Sequence, residues 1–197
     1  MYSSVKRPTG FSLTELVVAV AVAMVLMAVG LPAFLRAYHA YQLSSATTQV
    51  ADILRLTRYE AIRQNTPIQC LIRASGSNPP TTALWVDSIP NLTQDPTEKT
   101  FLLGTSGNLV SSGSVPNTSG LISSANLGSV PVNTPSPTSS AVEFDARGAV
   151  MPPTFVNAFY LSSQTSPDAG YRAVLLMPAG AIQIWTADAS GNWQQLR

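Results

Sequence analysis

Charge is scarce in this chain: 11 Lys and Arg face 10 Asp and Glu over 197 residues, 11% of the total. An ordinary soluble domain carries about 25%. With a net charge of +1 there is no broad basic surface to draw in nucleic acid. The single cysteine, Cys70, excludes an intrachain disulfide framework and a cysteine metal cluster. The single histidine, His39, excludes a multi-histidine metal site. Neither a phosphate-binding glycine motif nor a nucleophile elbow occurs, so no cofactor and no enzymatic activity are expected. Apolar residues make up an ordinary 45%, and Ser, Thr, Asn, Gly and Pro stand where charges are missing. The length suits one domain with an appendage.

The appendage is at the start. Lys6 and Arg7 lie in a short polar start, and from Pro8 to Leu35 the only charged residue is Glu15. Leu16 to Leu35 reads LVVAVAVAMVLMAVGLPAFL, with no polar side chain. A helix of that length spans about 30 Å, the thickness of a bilayer hydrocarbon core. A cleavable secretory signal fits poorly, because its apolar region runs about 7–15 residues and ends at a small-residue site. Here Phe34, Arg36 and Tyr38 follow instead. A carboxylate at the start of a membrane helix is costly, so Glu15 needs a partner or a role, although the helix dipole there favours negative charge.

The pattern around Glu15 is Gly10-Phe11-Ser12-Leu13-Thr14-Glu15-Leu16. It resembles the prepilin signature of type IV pilins and type II secretion pseudopilins. The resemblance implies cleavage by a prepilin peptidase between Gly10 and Phe11, N-methylation of the new Phe11 amine, a filament-assembly role for Glu15, and a helix kink at Pro32. It also implies a single-pass protein of the bacterial inner membrane with its N-terminus in the cytoplasm. The head would then stand in the periplasm or in an extracytoplasmic filament. The implied partners are other pilin or pseudopilin subunits and an inner-membrane assembly platform.

Beyond the apolar run the pattern stays helical. Tyr38 and Tyr41, then Leu43, Ala46, Val50, Ile53, Thr57 and Ala61, form a stripe expected to face a core. Gln42, Gln49, Asp52, Arg55, Arg58, Glu60 and Arg63 fall between them and are expected outside. No Gly or Pro interrupts residues 33–66, and Pro67 ends the pattern. One helix over roughly residues 12–65 follows. The passage Arg58, Glu60, Ala61, Ile62, Arg63 and Pro67 is similar to the helix-to-strand passage of GspH/FimT-type minor pilins.

Runs rich in β-formers occur at 68–73, 83–89, 101–103, 141–145, 155–161, 171–177 and 181–186, with Pro178-Ala179-Gly180 as a hairpin turn. Cys70 falls in the first run and reads as a core thiol. Residues 104–140 differ: 28 of the 37 are Ser, Thr, Gly, Asn or Pro and none is charged. They read as an uncharged extended surface loop, with room for short edge strands at 109–110, 121–122 and 130–132. The expected fold class is α+β, type IV pilin-like, a long N-terminal helix packed against an antiparallel β-sheet head. Its segments are a leader (1–10), a transmembrane assembly helix (11–35), an amphipathic helix (36–66) and a β-rich head (67–197).

The function implied is a minor pilin or pseudopilin of a type II secretion or type IV pilus filament, acting in assembly and protein secretion. The sequence leaves secretion and pilus roles open. An alternative is a competence minor pilin that binds DNA. Some FimT-like proteins carry a Gly-Arg-x-Arg motif near the C-terminus, where this chain has Gly180-Ala181-Ile182-Gln183. Residues 37–197 hold eight basic and nine acidic residues, and only Arg55, Arg58 and Arg63 could cluster, so nucleic acid is not expected as a partner. Glu143 with Asp145 could form an acid pair, although beside a turn solvated carboxylates are the simpler reading, and Asp87, Asp95 and Glu98 could hold calcium in a loop, although nothing in their spacing demands it.

Overall fold

The computed structural model describes residues 12–74, 76 and 81–196. The leader, Gly10 and Phe11 lie outside the described residues. The chain forms two compact units, Met1–Ala37 and Tyr38–Arg197.

Helix α1 (Leu13–Gln64) contributes to both. Its first turn begins at Ser12, whose carbonyl accepts from the Glu15 and Leu16 amides, both at 3.1 Å. Glu15 in the first turn and Arg63 in the last suit the helix dipole. The end is built from sequence as well. Asn65 takes the left-handed conformation (φ 50°), its amide bonds the Ile62 carbonyl at 3.3 Å, and the Thr66 amide bonds the Ala61 carbonyl at 3.2 Å. This two-bond closure satisfies carbonyls the helix leaves over, and Pro67 prevents continuation.

In the second unit α1 buries Leu43, Ala46, Val50, Ile53, Thr57 and Ala61, the expected stripe, together with Thr47, Ala51 and Leu54. The threonine hydroxyls stay inside the helix, Thr47 donating to the Leu43 carbonyl at 2.7 Å and Thr57 to that of Ile53 at 2.8 Å. Tyr38 and Tyr41 do not extend the stripe. They are 49% and 72% exposed, so the core begins one turn later than the spacing implied.

The strands are β1 (Ile68–Ala74), β2 (Thr82–Asp87), β3 (Thr100–Leu103), β4 (Asn108–Val110), β5 (Val132–Asn133), β6 (Ser139–Phe144), β7 (Val150–Met151), β8 (Val156–Ser162), β9 (Tyr171–Leu176), β10 (Ile182–Ala187) and β11 (Trp193–Leu196). Among the described residues they make two sheets where the sequence suggested one. The first runs β3-β2-β1-β6-β7, the second β11-β10-β9-β8-β4, and β5 also lies along β8. Every pair is antiparallel except β5 with β8. The expected turn forms at residues 178–180, where the Gly180 amide bonds the Met177 carbonyl at 2.8 Å. Gly180 has φ +79°, and a Cβ there would collide with the Gly148 carbonyl oxygen.

Both sheets contribute to the core against α1. Ile68, Cys70, Leu84, Val86, Val142 and Phe144 come from the first, and Phe159, Leu161, Val174 and Leu176 from the second. Burying such side chains stabilises by about 1.5–3 kcal/mol each relative to exposure.

The polar segment is where sequence and structure part. Residues 104–140 are not an extended surface loop. Helix α2 (Thr118–Ser124) occupies the stretch expected as an edge strand, and Val115, Leu121 and Leu127 are buried in a second cluster with Val156, Ala158, Tyr160, Ala173, Leu175 and Trp185. Alternate residues of β8 and β9 thus meet α1 on one face and this segment on the other, which explains their nearly continuous apolar sequences. Asn117 secures the segment. Its side chain caps α2 by accepting from the Gly120 amide at 3.1 Å and donates to the Gly191 carbonyl at 3.0 Å, while its own carbonyl accepts from Trp193 Nε1 at 3.0 Å. At Gly107 the segment passes so close to α1 that a Cβ would lie 2.6 Å from that of Ala46.

Candidate assembly segment

In the first unit α1 is long and apolar enough to cross a membrane, and its most apolar 18 residues bury nothing within the chain. Leu16, Val18, Met24, Leu26, Val29 and Leu31 are all exposed. Soluble proteins rarely leave contiguous apolar surface on this scale, so its cover must come from lipid or from other helices. Among the described residues 12–35, Glu15 is the one charge. Its carboxylate carries no intrachain salt bridge among the described residues.

Pro32 lies inside the helix, which runs through it without a break. Proline has no amide hydrogen, so the Ala28 carbonyl lacks its usual partner. One turn on, Arg36 Nε donates to the Pro32 carbonyl at 3.4 Å. Gly30 leaves a shallow apolar notch among Ala23, Leu26, Met27, Leu31 and Phe34, with open space where its Cβ would be.

The head offers no competing chemistry at the positions singled out. Arg55 pairs with Asp52 at 2.8 Å and Arg63 with Glu60 at 2.7 Å, each within one helical turn. Arg58, expected on the outer face, is half-buried and donates through Nη1 to the Gly180 carbonyl at 3.1 Å. The three arginines are therefore each engaged with a different partner. Glu143 accepts from Gln69 Nε2 at 3.0 Å. Asp145 Oδ1 accepts from the Arg147 and Ala149 amides at 2.9 and 2.8 Å, a turn device in place of half an acid pair.

The three acids considered for calcium instead hold the 88–98 loop. Glu98 Oε1 accepts from the Ser88 amide at 2.8 Å and Oε2 from the Asp95 amide at 3.0 Å. Asp87 accepts from the Asn91 and Leu92 amides at 3.3 and 3.1 Å, and Asp95 from Asn91 Nδ2 at 2.7 Å. Among the described residues no three potential ligands converge on a metal position. Cys70 is fully buried. Desolvation pushes its thiol up to about 12 despite a hydrogen bond with Thr57, so it has no thiolate to offer near neutrality.

Comparison with known proteins bears on the same two regions. The family model of the type II transport protein GspH matches residues 46–180, and that of the prokaryotic N-terminal methylation motif matches residues 5–31. Two solved structures of the type IV minor pilin FimU from Pseudomonas aeruginosa strain PAO1 are similar. One is 16% identical with a TM-score of 0.47, covering 80% of this chain and 94% of that one. The other is 18% identical with a TM-score of 0.45, covering 79% and 98%. Among curated proteins, none matches the chain in sequence. An apolar N-terminal helix carrying an N-methylation motif, followed by a β-rich head packed on the same helix, defines a pilin-like subunit. The chain belongs to the GspH family, a family of structural pilin and pseudopilin subunits. The apolar helix and the methylation motif together point to membrane anchoring.

Proposed function

We propose that this chain is a minor subunit of a type II secretion or type IV pilus-type filament, acting in filament initiation or assembly in support of protein secretion. In this reading the chain is held in the bacterial inner membrane by residues 11–35, with the leader in the cytoplasm and the head on the far side. A prepilin peptidase removes residues 1–10 by cutting between Gly10 and Phe11, and the Phe11 amine is methylated. The observation that carries the reading is the uncovered apolar surface of α1 with a single acid, Glu15, in its first turn.

Cleavage would leave an α-ammonium at Phe11, one helical turn from Glu15. A cation at a helix N-terminus opposes the dipole, and in lipid it needs an anion close by. When subunits are staggered, the Glu15 carboxylate of one copy neutralises the amine of its neighbour, and the apolar surfaces pack on each other instead of on lipid. Pro32 would let the helix bend to fit that packing, and the notch at Gly30 would admit a neighbouring side chain. The inner-membrane assembly platform would supply the site of insertion.

Replacing Glu15 by Val tests the pairing. Loss of incorporation into the filament fraction, with the chain still present in the membrane, is expected. Normal incorporation of Glu15→Val would overturn it.

A further inference from the structure

Arg172 is a single charge in the apolar strand β9, and it points to the face of the sheet that carries Val174 and Leu176 into the core. It is 9% exposed. Opposite it on β10 is Thr186, and opposite Thr186 on β11 is Gln194, so the three form one cross-strand row. With Ala169, Asp188 and Asn192 this row lines a cavity of about 290 Å³.

A buried cation ordinarily has an anion beside it, because desolvation without a partner is expensive. Arg172 has no salt bridge among the described residues. Its Nη1 donates to the Tyr171 carbonyl at 2.9 Å, its Nε is buried with no partner, and burial lowers the guanidinium's pKa from its ordinary value. It still stays charged at neutral pH. The nearest acid in the lining, Asp188, is committed elsewhere. Its Oδ1 accepts from the Ser190 and Asn192 amides at 2.9 and 3.0 Å and its Oδ2 from Asn192 Nδ2 at 2.6 Å.

The unused side of Arg172 is the edge formed by Nε and Nη2. Arg63 in the same chain shows what that edge does: its Nε and Nη2 both donate to Glu60 Oε2, at 2.8 and 2.7 Å. We infer that the Arg172 cavity is a carboxylate-binding site, in which the Nε–Nη2 edge takes the two oxygens and Thr186, Asn192 and Gln194 form the polar wall. The volume lies at the lower end of that of ligand pockets. It suits one carboxylate with a short stem, supplied by a small free acid or by an acidic side chain or C-terminus of a neighbouring subunit.

The test uses the full ¹⁵N-labelled chain in detergent micelles, following the Arg172 Nε–H resonance during titration with sodium acetate against sodium chloride at matched ionic strength. A saturating shift with acetate alone is expected, weakened about tenfold or more in Arg172→Lys, which keeps the charge and loses the fork. Arg172→Gln removes an unpaired buried charge, so it should fold with an unchanged or higher Tm and give no acetate-dependent shift in the amides of Thr186 and Gln194. A shift that never saturates, equals that with chloride, or persists at those amides in Arg172→Gln overturns the site. Filament incorporation separates the sources. Reduced incorporation of Arg172→Gln assigns the carboxylate to a neighbouring subunit, and normal incorporation with acetate saturation in the unsubstituted chain assigns it to a free acid.

Discussion

Arg58 reaches 122 residues along the chain to hold the Gly180 carbonyl oxygen at 3.1 Å. This bond ties the turn between β9 and β10 to the helix. A Cβ placed at Gly148 would come within 2.8 Å of the same guanidinium, so a second turn packs on it too. Arg58→Ala should therefore lower head stability by about 1–3 kcal/mol, the usual cost of leaving a partly buried acceptor without its charged donor. Arg55→Ala and Arg63→Ala remove exposed pairs within one helical turn and should change it by less than about 1 kcal/mol. Denaturant unfolding of the three variants, followed by tryptophan fluorescence, checks the order.

Leu121 is fully buried although it lies in the most polar part of the chain. Leu121→Ala should cost about 2–5 kcal/mol, as for other leucines in a packed core. A surface loop would tolerate the change, so a Tm equal to that of the unsubstituted protein would return residues 104–140 to the surface.

Cys70 gives a pH signature. Its thiol ordinarily titrates near 9.0 and is pushed up to about 12 in the fold. Between those values the folded state keeps the proton and the unfolded state releases it, so stability is complete below pH 9 and falls as pH rises. The slope approaches about 1.4 kcal/mol per pH unit for this one group. Cys70→Ala should remove that share of the slope. Parallel unfolding curves of the two proteins from pH 8 to 10.5 measure the difference, and the native thiol should stay unreactive to a disulfide reagent until the head unfolds.

Much of this architecture is legible in the sequence. The stripe from Leu43 to Ala61 has helical period, and β1, β2, β6, β8, β9 and β10 are runs of β-formers whose edges fall close to those seen. What was hidden depends on contacts far apart in sequence. Nothing local says that β6 joins β1 while β8 to β11 form a separate sheet. The polar segment has no periodicity, and its burial rests on Val115, Leu121 and Leu127, three apolar residues spaced six apart. Strand β11 reads WQQL and owes its place to pairing with β10. The helical wheel puts Arg58 on the outer face, but the turn at Gly180 folds over it, which no local pattern encodes. Of the assembly segment, Glu15 and Pro32 stood out by being alone of their kind in an apolar run. Arg172, a lone charge within YRAVLL, is a signal of the same kind.

The notch at Gly30 yields a further expectation. A Cβ at Gly30 would meet no atom within 4 Å, so Gly30→Leu has room to fill the notch beside Leu26, Met27 and Phe34. Such a variant should remain in the membrane at normal levels yet enter filaments less well, because neighbouring helices lose close approach. Fractionation of membrane and sheared filament pools checks it.

The most direct test of the account is the intact mass of the chain recovered from the filament fraction of its host. The expected species begins at Phe11, lacks residues 1–10 and carries one added methyl group at its amine. A mass that still includes residues 1–10 would contradict it.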